Sequence, residues 1–375
     1  MHLLPAVDLV LATFSAFVHS PQRASSGITT ADDLILLDAP AFSDPANPTY
    51  TLASFDAFVF TRQVHIEPTV RAIQALLTVL GIHVGDSLEN LTNRAKLFAA
   101  KGLENKSIDI IVDGCEGQIS LSKTAGLPDR GLFNQNVSIG VCNAQSQLNG
   151  FVANATVVLP SSDDREISSN VFFYPNSGFG VISDVDDTVK ITHVLHPPAM
   201  LKATFLDDPV PVSGMPELYA SLAQNLSPDF LYVSGSMLQI QPFLRDFIHT
   251  TYSASKGPLF LRNLTNISDI INFVQSDGIF EYKSAIIDQI KGMYPNKRFL
   301  AVGDSTQKDP ETYGEAYRKY GDFIMCAWIR LVDGADNTAA RFAAAFDGVP
   351  SNRWRAFDDS DIAGLASINV AAGDC

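Results

Sequence analysis

Basic residues are scarce in this chain. Against 41 Asp and Glu stand 26 Lys and Arg, a formal net charge of −15 over 375 residues. A dedicated nucleic-acid binder normally presents a basic face, so the balance argues against nucleic acid as a partner. It argues equally against avid electrostatic attachment to anionic membranes. Cysteine is sparse too. Cys115, Cys142, Cys326 and Cys375 form an even set with none of the close spacings of a zinc site. Cys115 and Cys142 read as a disulfide within one domain, and Cys326, on an apolar run, as a buried thiol. No repeats or low-complexity tracts stand out. Beyond the N-terminus no segment is long and apolar enough to span a bilayer.

What is present is a large stock of apolar residues, 46% of the chain, enough for a sizeable core and two domains. Residues 1–20 carry an apolar run of signal-peptide length, interrupted by Asp8, with only His2 in place of a basic start. The competing reading is an ordinary buried helix. Seven N-x-S/T sequons, at Asn90, Asn105, Asn136, Asn154, Asn225, Asn263 and Asn266, tilt the balance toward a secretory glycoprotein. The alternative is a cytoplasmic protein peripheral to membranes.

Residues 21–49 read as an arm or linker around one apolar run, 34–37. From 50 to 171 short apolar runs alternate with turns, the pattern of a mainly β, sandwich-like domain with one or two helices. Strands are expected at 55–64, 108–112, 117–121, 137–141 and 153–159, a helix at 70–80, and a second short helix or a loop at 93–101. His65 and His83 lie in apolar stretches and read as structural. From 172 to 360 strands alternate with helices, the signature of an α/β domain with a parallel sheet. Its strands are expected at 179–183, 230–233, 259–261, 299–302 and 323–329. Its helices are expected at 215–225, 239–252, 267–275, 282–293, 310–319 and 338–346. Residues 361–375 read as a polar tail.

The chemistry concentrates in this second region. The run V-I-S-D-V-D-D-T, 181–188, is an apolar strand ending in aspartates two apart. Such residues can point the same way, so Asp184 could act as nucleophile and Asp186 as proton donor and acceptor. A lone D-x-D fits a solvated turn or a weak cation site equally well. Asp187 has no inward role by spacing and reads as solvated or supporting. Further on, F-L-Y-V-S-G-S (230–236) reads as a buried strand entering a hydroxyl-glycine-hydroxyl turn. Ser234, Gly235 and Ser236 there can offer hydroxyls and N–H groups to phosphate. Lys283 falls in the first turn of an amphipathic helix. Then A-V-G-D-S-T-Q-K-D-P (301–310) ends a strand with Asp304 and Asp309, oxygen donors of the kind Mg²⁺ takes. Asp309-Pro310-Glu311 is equally a helix start.

In this order the four elements resemble the haloacid dehalogenase superfamily of aspartate-nucleophile phosphatases, over about residues 181–328. The stretches D-D-T-V-K-I-T (186–192), P-V-S-G-M-P-E-L-Y (211–219), L-Y-V-S-G-S (231–236), P-F-L-R-D-F-I (242–248), G-P-L-F-L-R (257–262) and G-D-S-T-Q-K-D-P-E-T-Y (303–313) narrow the match. They resemble the fungal actin-patch phosphatidate phosphatase catalytic-domain family over roughly residues 170–360. One departure is Thr306, where that family often has glycine.

The resemblance implies a Rossmann-like catalytic domain with a minimal cap, and Mg²⁺-dependent hydrolysis of phosphatidate to diacylglycerol through an aspartyl phosphate. Carried over, Asp184, Asp186, Ser234 and Lys283 are catalytic, and Thr188, Lys190, Gly235 and Ser236 bind substrate. Asp184, Asp186, Asp304 and Asp309 hold the metal. The implied partner is a phospholipid, met at a membrane surface without insertion. Another phospholipid, a phosphoprotein or an extracellular phosphoester would suit the same chemistry, and a non-enzymatic binding protein could use the same fold. The intervals from Asp184 to Ser234 and from Ser234 to Lys283 leave room for a flap (190–208) and a helix but no large cap. That favours an open site. Lys190, Lys202, Arg245, Lys256 and Arg262 are candidates for attracting an anionic substrate, with scattered surface charge the commoner reading for any one of them.

Overall fold

A computed structural model describes residues 27–62, 65–143, 151–263 and 278–375. The expected leader, the helix at 267–275 and the sequon at Asn266 lie outside them. The first part of the chain is mainly β. Strands β1 (Asp32–Leu36), β2 (Ala39–Ser43), β3 (Thr51–Thr61), β4 (Ile108–Val112), β5 (Gln118–Leu121), β6 (Leu132–Gly140), β7 (Phe151–Val157) and β8 (Ser168–Phe173) join into one hydrogen-bonded sheet. All pairings are antiparallel except β2 with β8. Alternate residues such as Phe55, Ala57 and Val59 of β3, and Ala153, Ala155 and Val157 of β7, converge on one apolar core. The segment read as an arm supplies β1 and β2, so from residue 27 it belongs to the sheet.

Two helices, α1 (Glu67–Val79) and α2 (Leu88–Ala95), leave this sheet between β3 and β4. Both histidines expected to be structural, His65 and His83, are solvent-exposed. Cys115 and Cys142 form a disulfide, as their place within one domain suggests.

The second part is a six-stranded parallel sheet: β9 (Ser177–Ser183), β10 (Asp229–Met237), β11 (Leu259–Arg262), β12 (Asn296–Asp304), β13 (Ile324–Arg330) and β14 (Trp354–Phe357). Its order is β11-β10-β9-β12-β13-β14. The chain steps outward from β9 to β11, then returns to the other side of β9 for β12. This leaves a topological switch between β9 and β12, where open α/β sheets bind ligands at their carboxyl ends.

Helices cover both faces of this sheet. On one face Val181, Tyr232, Val302 and Trp328 pack with α4 (Met215–Leu226) and α5 (Gln241–Thr251). On the other, Ile182, Val233, Ala301 and Ile329 pack with α6 (Gly278–Met293), α7 (Asp309–Tyr320) and α8 (Ala339–Ala345). Burial on both faces explains why these strands read as unbroken apolar runs. A short helix, α3 (Pro197–Phe205), stands in the flap after β9. Proline lies in the first turn of α1, α3, α4, α5 and α7, where its missing N–H costs nothing.

The two parts are fastened together. Phe42, Phe172 and Tyr174, from the outer face of the first sheet, join the core beside β10 and α6. Asp38 accepts from Arg245 Nε at 2.8 Å, and Tyr294 donates its hydroxyl to the Ala41 carbonyl at 3.1 Å. The C-terminal residues are not a free polar tail: Ile362, Leu365 and Val370 are buried. Cys375 is bonded to Cys326, which is therefore not the free thiol expected. Among the described residues no helix is long and apolar enough to cross a membrane.

Candidate functional site

Asp184 follows β9 directly, and its N–H donates to the Val302 carbonyl of β12 at 2.8 Å. That bond pins it at the switch point. Asp304 closes β12 beside it. Gly303 allows the next step: a Cβ there would stand 2.6 Å from the Asp309 Cβ, so only glycine lets α7 bring Asp309 against the strand. Asp309 Oδ2 then accepts from the Asp304 N–H at 3.1 Å. Asp309 thus opens α7, as the helix-start reading expects, and also lies against Asp304.

Carboxylate oxygens of Asp184, Asp304 and Asp309 all lie within 4.8 Å of one another, and all three residues are buried. Lys283, from the first half of α6, reaches into the group. Its Nζ lies 2.7 Å from Asp184 Oδ1 and 2.5 Å from Asp309 Oδ1. Thr188 Oγ1 stands 2.9 Å from Asp184 Oδ2 and 3.2 Å from Asp304 Oδ2. A hydroxyl has one proton to give, so it serves one of these acids at a time.

One lysine cannot balance three buried acids. Burial pushes the Asp184 carboxyl well above its ordinary range, opposed by Lys283 and helped by the neighbouring acids. Burial and Asp309 push Asp304 up to about 7, again opposed by Lys283. Burial acts the other way on Lys283, but the three acids outweigh it and raise its affinity for the proton. A surplus of buried carboxylate oxygens is a donor set suited to a hard divalent cation, so these three residues fit a metal.

Asp186 is not part of that cluster. Its Oδ2 accepts from Ser234 Oγ at 2.8 Å and Ser236 Oγ at 2.7 Å, and its Oδ1 from Thr192 Oγ1 at 2.8 Å. The carboxylate expected to ligate metal is therefore turned into a cradle of three hydroxyls. Ser234 and Ser236 reach the same acid because β10 continues to Met237, its pairing with β11 irregular between Val233 and Met237. The turn expected at Gly235 is a distorted strand instead. Thr192, the last residue of the D-D-T-V-K-I-T run, joins Asp186 without any spacing signal that marks it.

Of the two readings open for Asp187, solvated or supporting, the structure shows the supporting one. The residue is buried with φ +57°, and its carboxylate accepts the N–H groups of Thr192, His193 and Val194 at 2.8, 2.8 and 2.7 Å. It ties down the start of the flap. Lys190 is also buried, donating to Thr192 Oγ1 at 2.9 Å. Burial lowers its proton affinity against the pull of Asp186 and Asp187. Arg245 is bound to Asp38, and Lys202 lies 3.4 Å from Asp207. Thr306 donates its backbone N–H to Asp304 Oδ1 at 2.5 Å, a bond that glycine would make equally. Arg341, from α8, donates to the carbonyls of Ser305 and Gln307 and holds this loop. No local signal marks it in the sequence.

The site is enclosed rather than open. Asp184 is 1% exposed and Asp186 5%. Met200, Leu201, Phe205 and Leu206 of the flap pack against Val70, Ile73, Leu77 and Leu91 of α1 and α2. Arg94 of α2 donates to the Thr204 carbonyl at 3.1 Å. The flap is thus backed by helices of the first domain.

Residues 179–331 match the family model of the phosphatidate phosphatase APP1 catalytic domain. The phosphatidate phosphatase APP1 of Saccharomyces cerevisiae is 30% identical over 156 residues, 41% of this chain and 26% of that protein. An uncharacterized protein of Schizosaccharomyces pombe is 24% identical over 190 residues, 49% of this chain and 31% of that one. The chain thus spans less than a third of the length of either relative. A Bifidobacterium dentium β-glucuronidase complexed with coumarin-3-O-glucuronide aligns over 87% of this chain and 60% of that one. The 9% identity and TM-score of 0.23 carry no argument. Residues 179–331 are an APP1-like catalytic domain, a placement consistent with the haloacid dehalogenase superfamily.

Proposed function

We propose that this chain is a Mg²⁺-dependent phosphatidate phosphatase, releasing diacylglycerol and phosphate through an aspartyl phosphate. The observation that carries this reading is Asp184 at the switch point, bound to Lys283 beside Asp304 and Asp309, inside the matched segment. Asp184 attacks phosphorus. Asp186 gives a proton to the departing glycerol oxygen, then takes one from the water that hydrolyses the aspartyl phosphate. Lys283 orients Asp184 and offsets the charge gathered around it. Ser234 serves the phosphoryl oxygens by rotating its hydroxyl off Asp186. Asp184, Asp304 and Asp309 would hold Mg²⁺, which when bound neutralises phosphoryl charge.

The burial of Asp184 and Asp186 favours a small phosphomonoester head over a folded phosphoprotein. The two disulfides favour passage through an oxidising compartment, in line with the sequons. The substrate reading is tested by phosphate release from phosphatidate, other phospholipids, soluble phosphomonoesters and a phosphopeptide, with Mg²⁺ and with EDTA. Phosphatidate is expected to lead the panel and EDTA to stop turnover. A phosphopeptide or a soluble ester turning over fastest would reassign the substrate, and undiminished turnover in EDTA would remove the metal.

A further inference from the structure

Five of the seven sequons, at Asn90, Asn105, Asn136, Asn154 and Asn225, fall wholly within the described residues, and the fold separates them. Asn136 and Ser138 lie two apart on β6, so they share one face, and both are exposed. Among the described strands β6 pairs with β3 alone, which puts this sequon at the rim of the sheet. Asn105 is exposed as well, in the turn before β4, with φ +61°. Lys106 beside it is anchored to Asp32 at 2.7 Å, which fixes that turn at the surface.

Asn90 and Asn154 are engaged instead. Asn90 Nδ2 donates to the Leu206 carbonyl at 2.7 Å, where α2 meets the flap, and Leu91 next to it is buried. A sugar on Asn90 would displace that bond and part the two elements. Asn154 is half-buried in β7, a strand paired with both β4 and β8, and its Nδ2 donates to Thr156 Oγ1 at 2.9 Å. Asn225 is exposed, but Pro228 directly after its serine restrains the backbone there, and it forms no part of the assignment.

We infer that Asn105 and Asn136 carry N-linked glycans and that Asn90 and Asn154 do not. The two disulfides supply an independent reason, because they belong to the oxidising compartments in which sequons meet the transfer machinery. In the transfer, Asn Nδ2 bonds to the anomeric carbon of an oligosaccharide held on a polyprenyl diphosphate. That carbon's bond to the diphosphate oxygen breaks, the diphosphate leaves, and the amide gives up one proton. Folded protein then keeps only the glycans its surface accommodates. The assignment stands apart from the phosphatase reading.

The test expresses the full chain in a eukaryotic secretory host, once with its own N-terminus and once behind a standard secretion leader. Folded protein is treated with the amidase that removes N-glycans and converts each carrying asparagine to aspartate, and its peptides are mapped by mass. Conversion is expected at positions 105 and 136 and not at 90 and 154, in both forms. Ser107→Ala and Ser138→Ala remove one sequon each while leaving the asparagine in place. Each is expected to lose one glycan from the intact mass, and the double variant two. Conversion at 90 or 154, or its absence at 105 or 136, would overturn the assignment. Conversion only behind the added leader would overturn it for the natural chain.

Discussion

Ser234 donates its hydroxyl to Asp186 Oδ2 at 2.8 Å, so the residue read as a phosphate ligand is engaged with the proposed proton carrier. Ser236 donates to the same oxygen. The two hydroxyls therefore act partly in parallel on Asp186, while only Ser234 is assigned to the phosphoryl group. Ser236→Ala is expected to lower kcat about tenfold with little change in KM, as loss of one hydrogen bond to a charged group. Ser234→Ala is expected to cost more, on the order of a hundredfold, because it loses both partners. Steady-state kinetics on one substrate compare them, and equal, small losses would contradict the division of labour.

Lys283 is the only cation bonded to the acidic cluster among the described residues. Truncating it leaves Asp184 and Asp309 buried without their partner, a change that typically costs about 3–5 kcal/mol. Lys283→Ala is expected to unfold at lower urea concentration by that margin. Added Mg²⁺ should restore part of it by neutralising the same acids. Unchanged stability would mean that the acids are not charged in the folded chain.

Asp304 gives the pH dependence a direction. Its proton affinity is raised on folding, from the ordinary 3.8 to about 7. The folded metal-free chain therefore holds this proton more tightly than the unfolded chain does. The contribution of Asp304 to stability is fully present below about pH 4 and is lost as pH rises through about 7. Metal competes with the same proton, so Mg²⁺ affinity should rise between about pH 6 and 8. Thermal melts at several pH values, with and without Mg²⁺, read both effects. A Mg²⁺ stabilisation that shrinks over that interval would contradict the assignment.

The parallel sheet and most of its site were legible because both are written locally. Five of the six strands carry apolar runs, and Asp184, Ser234 and Asp304 follow from their places at or near strand ends; the short β14, Trp354–Phe357, is outside the expected set. What escaped depends on contacts across the chain. The segment around 34–37 looked like an arm because a short edge element shows its pairing only when β3 is beside it. Cys326 and Cys375 are 49 residues apart, and no spacing rule joins them. Arg94 meets the flap through a bond spanning 110 residues, so the backing of the flap by the first domain does not show in the intervals between motifs. Asp187 took its role from a left-handed backbone that turns its carboxylate under the flap, a conformation that D-D-T does not announce.

The most direct test of the account is phosphate release from phosphatidate by Asp184→Asn in the presence of Mg²⁺. The substitution keeps size and shape but removes the attacking carboxylate. Turnover is expected to fall on the order of 10⁴-fold or more, with the unfolding transition retained. Phosphate release by the Asp184→Asn variant at near the parent rate would place the nucleophile elsewhere.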